Sequence, residues 1–109
     1  MTHLVHVTRP AEDDVRATLR YLAARSRPGA HAWRRAFEAM LKRLEHRPEG
    51  YALAPEDDLF DEPVRQTLFK TRAGRPHRAV FVVRATTVYV LRVRGPGQNL
   101  LDADEVDLP

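Results

Sequence analysis

The hydrophobic period of this chain changes once, and that change limits the folds open to it. From Ala11 to Leu44 apolar residues recur at helical spacing, whereas from Val64 to Val93 they crowd into short β-rich runs. Ala11, Val15, Leu19, Leu22 and Ala23 make one stripe. Trp33, Ala36, Phe37, Met40, Leu41 and Leu44, at i, i+3, i+4, i+7, i+8 and i+11, make a stronger one. Thr8 can cap the first helix, Pro10 fits its first turn, and Glu12, Asp13 and Asp14 complement its positive end. "SRPG" at 26–29 ends that helix, and Pro48 with Gly50 closes the second. Two such stripes predict an antiparallel helix hairpin, with Trp33 and Met40 as core residues rather than a ligand box.

The β-rich runs are "VRQTLFK", "HRAVFVV" and "TVYVLRVR", the first two joined by the turn-forming "RAGRP". "HLVHVT" adds an N-terminal strand with Val5 and Val7 on one face. The expected fold is α+β: an N-terminal strand, then an antiparallel helix hairpin packed on an antiparallel-rich sheet of about four strands, all in a single domain over residues 1–109. Strict alternation puts Arg78 on the face of Val80, Val82 and Arg84, Arg92 and Arg94 on that of Val88 and Val90, and Arg65 with Thr67 and Phe69. Both faces are apolar in mid-strand, so the pattern leaves open which one meets the helices.

Charge is segregated along the chain. Residues 49–62 hold six acids and no base; residues 64–101 hold eight bases (Arg65, Lys70, Arg72, Arg75, Arg78, Arg84, Arg92 and Arg94) and no acid; residues 102–107 turn acidic again. This pattern points to a phosphate-facing sheet, and arginine, sixteen of the eighteen bases, suits bidentate phosphate contact. A GC-rich coding bias produces the same arginine excess. The chain has no cysteine, which excludes disulfides, thiolate metal sites and a cysteine nucleophile. His3, His6, His31 and His46 show no metal spacing with acids, so neither a metal nor a cofactor is expected. No apolar run is long enough for a membrane span, and the expected setting is the cytoplasm, with no membrane partner.

The last strand runs into Gly95-Pro96-Gly97, which stops its ladder beside Arg92 and Arg94. A hairpin brings the start of one strand beside the end of the next, so Arg78, Arg92 and Arg94 are expected to converge, as cations held together for an anion. The alternative is that Arg78 pairs with an acid of the connector, Glu56 or Asp58, and pins that loop.

The order of strand, helix hairpin, "LAPED" connector, "VRQTLFKTRAGRPHRAVF" and "VYVLRVRGPGQ" resembles the RelE/ParE superfamily of bacterial toxins over nearly the whole chain. The pieces that carry the resemblance are Pro55-Glu56, the pair Arg65 and Arg78, and the terminal "LRVRGPGQ". It implies the toxin of a type II toxin-antitoxin module, neutralised by a cognate antitoxin in a hetero-oligomer. RelE-like members cut mRNA in the ribosome, and Arg65, Arg78 and Arg94 match their basic positions. The histidine or tyrosine that many nuclease members carry after the last strand is missing here, which leaves Glu56 and His77 as candidate base and acid. Arg72, Arg75, Arg92 and Gln98 are candidates for binding nucleic acid or another target. ParE-like members poison DNA gyrase and need no nuclease residues. A third possibility is an inactive homologue that only binds an antitoxin.

Overall fold

A computed structural model describes residues 2–109. The elements are β1 (Leu4–Val7), α1 (Arg9–Ala23), α2 (Arg27–Arg43), β2 (Arg65–Phe69), β3 (His77–Arg84) and β4 (Thr87–Arg94), with short 3₁₀ turns at Pro48–Gly50, Pro55–Leu59 and Ala103–Glu105. This is the expected α+β arrangement of a helix hairpin on a four-stranded sheet. The strand order is β1-β4-β3-β2, antiparallel except that β1 runs parallel to β4.

Two apolar layers cover the two faces of the sheet. On the helix side, Ala11, Trp33, Phe37, Met40 and Leu44 pack against Phe69, Ala79, Phe81, Val88, Val90 and Val93, with Val5 and Val7 of β1 at the margin. On the outer face, Val80, Val82 and Leu91 are covered by Ala54 and Val64 and by Leu101 and Val106 of the C-terminal tail. Two residues after the last strand thus help to close the smaller, outer layer of the core.

Three local expectations are corrected. Thr8 stands before α1, but its side chain does not cap the helix. Its hydroxyl donates to the Val90 carbonyl at 2.8 Å instead. "SRPG" ends α1 but also starts α2: Ser26 Oγ accepts from Gly29 N at 3.0 Å, and Pro28 fits the first turn, where its missing N–H costs nothing. Strict alternation fails in β4, because Val80 is opposite Arg92 while Phe81 is opposite Val90, leaving Leu91 as an extra residue. This bulge moves Arg94 off the face of Val88 and Val90 and places it opposite Arg78.

The bulged end of β4 runs beyond β1, and α1 satisfies its exposed edge. Thr8 N and Oγ1 both donate to the Val90 carbonyl, and the Asp14 carboxylate accepts from Val93 N at 2.9 Å. Side chains of a helix replace a missing strand neighbour there.

Candidate functional site

The bases of residues 64–101 do not form a bare cationic face. Arg78 donates through Nη1 to Glu56 Oε1 at 2.8 Å and to Gln66 Oε1 at 3.1 Å, and through Nη2 to Glu56 Oε2. Glu56 Oε2 also accepts from Leu101 N at 2.9 Å. Glu56 is only 2% exposed. Burial would push its carboxyl pKa up, but the Arg78 guanidinium and the Leu101 N–H outweigh that and hold it below the ordinary carboxylate value. Both of its oxygens are occupied. The connector acid that pairs with Arg78 is therefore Glu56 rather than Asp58.

Arg92 makes a two-pronged pair with Asp14 of α1 at 2.8 and 2.9 Å and donates to the Glu105 carbonyl at 3.0 Å. Arg84 pairs with Glu62 through Nε at 3.1 Å and Nη2 at 2.6 Å. Arg65 lies opposite Phe81 on the helix side, the face away from Arg78, and donates to the Tyr51 carbonyl at 2.7 Å. Arg78, Arg92 and Arg94 gather near one end of the sheet, but two of them arrive with their own carboxylates. Arg94, opposite Arg78, has only a carbonyl partner, that of Asn99 at 2.7 Å.

His77 precedes Arg78 in β3 and so faces the helices. Its ring meets Trp33 edge-on at 5.4 Å and lies 5.9 Å from Phe69. Burial lowers its pKa, and the nearby Arg75 carbonyl pulls the other way without closing a hydrogen bond to Nδ1. A side chain at Gly95 would put its Cβ 3.2 Å from His77 Nε2, so the glycine lets the turn lie close over the imidazole. Gln98 holds that turn by accepting from Gly95 N.

His77, Arg75 and Gln98 thereby meet in a cleft of about 680 Å³ between the helix hairpin and the 71–75 and 95–98 turns. Tyr21, Leu22 and Trp33 form its helical wall. Arg72 is exposed in the neighbouring turn, where its carbonyl accepts from Lys70 Nζ at 3.3 Å. The helical residues of this cleft were absent from the sequence-based candidates. The position of Tyr21, an aromatic residue off the α1 stripe, is the signal the sequence offers. Among the described residues no cluster of histidines or acids could hold a metal ion, and no helix is long and apolar enough to cross a membrane.

The family profile of the ParE toxin of the type II toxin-antitoxin system parDE matches residues 5–100, which take in the hairpin, β2 to β4 and all of β1 but Leu4. The chain belongs to the ParE toxin family. Membership in it implies an antitoxin partner. A solved structure described as the chromosomal ParDE TA system from P. aeruginosa is similar at 21% identity with a TM-score of 0.62, over 85% of this chain and 95% of that one. At that identity the likeness is one of fold. No curated protein matches the chain in sequence.

Proposed function

We propose that this ParE-family toxin arrests growth by binding and poisoning DNA gyrase, without cutting RNA. The observation that carries the reading is the closed Arg78–Glu56 pair. RNA cleavage needs an acid and a base within reach of the groups that hold the phosphate. Glu56 has no free oxygen, His77 projects from the face opposite Arg78, and Arg65 is likewise on the helix side. Of the candidate catalytic residues, Glu56 and Arg78 are thus engaged in holding the fold and Arg65 and His77 lie across the sheet, which leaves Arg94 alone without either constraint.

Inducing the chain in bacteria is expected to stop growth without creating new mRNA ends, and the purified chain is expected to inhibit supercoiling by purified gyrase. New RNA ends with unimpaired gyrase would sink this reading in favour of the nuclease one. Full growth with abundant folded protein would leave only antitoxin binding.

A further inference from the structure

We infer that the cleft beside Trp33 and His77 is where the antitoxin docks, by a segment that sets an apolar side chain against Tyr21, Leu22 and Pro96 and a carboxylate at Arg75. The inference rests on the toxin reading and adds the surface and the chemistry of the partner.

Charge is the first ground. Arg75 lines the cleft and no acid does. At its rim the Arg25 guanidinium lies 3.7 Å from the centre of the Tyr21 ring. On the outer face, by contrast, Arg78, Arg84 and Arg92 already hold carboxylates of this chain. An acidic segment arriving there would have to displace internal partners, whereas at Arg75 it meets none.

The wall is the second. Tyr21 is 58% exposed, an aromatic surface that water covers in the free chain. A nucleic-acid backbone wants a row of cations along its path, and this cleft offers one lining arginine among apolar side chains. The combination fits an acidic, apolar protein segment better than a phosphate chain.

The test titrates the whole chain with the antitoxin encoded beside it. Arg75→Glu and Ala17→Asp, both at exposed lining positions, are each expected to weaken the complex by about tenfold or more, with salt weakening the parent complex as well. Arg35→Glu makes the same charge change as Arg75→Glu at an exposed position outside the cleft and is expected to stay within about twofold of the parent. Parent-like affinity in both cleft variants overturns the docking site and leaves the toxin reading standing. Equal losses in Arg75→Glu and Arg35→Glu overturn it too, because net charge alone would then account for binding. Capture of a single-stranded RNA probe, lost in the same cleft variants, overturns the assignment to a protein segment. Failure of the unaltered chain to bind any antitoxin overturns the toxin reading and this inference together.

Discussion

Glu56 joins three separate parts of the chain: the connector that carries it, Arg78 in β3, and Leu101 in the tail. Removing Arg78 would leave its carboxylate buried with a single backbone donor. Arg78→Ala is therefore expected to cost about 3 kcal/mol, a fall of about 10 °C or more in Tm. Pairing Arg78→Met with Glu56→Leu should recover most of that, since a packed apolar pair needs no desolvation of charge. Thermal denaturation of the single and double variants checks both statements; equal losses in the two would show that packing, not the uncompensated charge, sets the cost. The same residues make stability depend on pH. Glu56 has a folded pKa below its ordinary 4.5, so its contribution is complete above that value and is lost as pH falls through the folded one. His77 behaves alike for a different reason. Burial lowers its pKa below 6.5, so the unfolded chain takes up the proton first and stability declines as pH drops from 6.5 through the lowered value. Tm measured across that window should slope downward toward acid, and His77→Phe should flatten the slope.

Among the elements, the tail is the one whose weight is least evident from its look. It contains only a single 3₁₀ turn, yet Leu101 and Val106 are 2% and 6% exposed and complete the outer core. Ending the chain after Asn99 would uncover Val80, Val82 and Leu91 and remove a donor from Glu56. Loss of two buried aliphatic side chains alone costs about 3–5 kcal/mol. The truncated chain should melt far below the parent by calorimetry; an unchanged Tm would show the tail to be dispensable. Periodicity made the helices and strands legible because each depends on neighbours within a few residues. It could not disclose the bulge at Leu91, since one extra residue in a strand leaves no mark on a run that is apolar on both faces. Nor could it say that Thr8 serves β4 rather than α1, because that choice depends on a carbonyl from the far end of the chain. The Arg78–Glu56 pairing was legible only as one of two alternatives, since Asp58 was as near in sequence.

Over the whole molecule, the acid-free stretch draws its carboxylate partners from earlier in the chain. Asp14, Glu56 and Glu62, all from before Val64, meet Arg92, Arg78 and Arg84, all from after it. What looks along the sequence like a surface prepared for phosphate is, in the fold, matched from within at three of its eight bases. The parallel pairing of β1 with β4 has a further effect on when the protein comes into being. Thr8 and its partner Val90 are 82 positions apart, and Leu4–Val7 finds its register only against Thr87–Val90. A chain emerging from the ribosome cannot seat its first strand until nearly its last has been made, because a contact of such long range forms only after the intervening loop is complete. The four-stranded sheet, and any binding surface that depends on it, is therefore assembled late, once Thr87–Arg94 has been made.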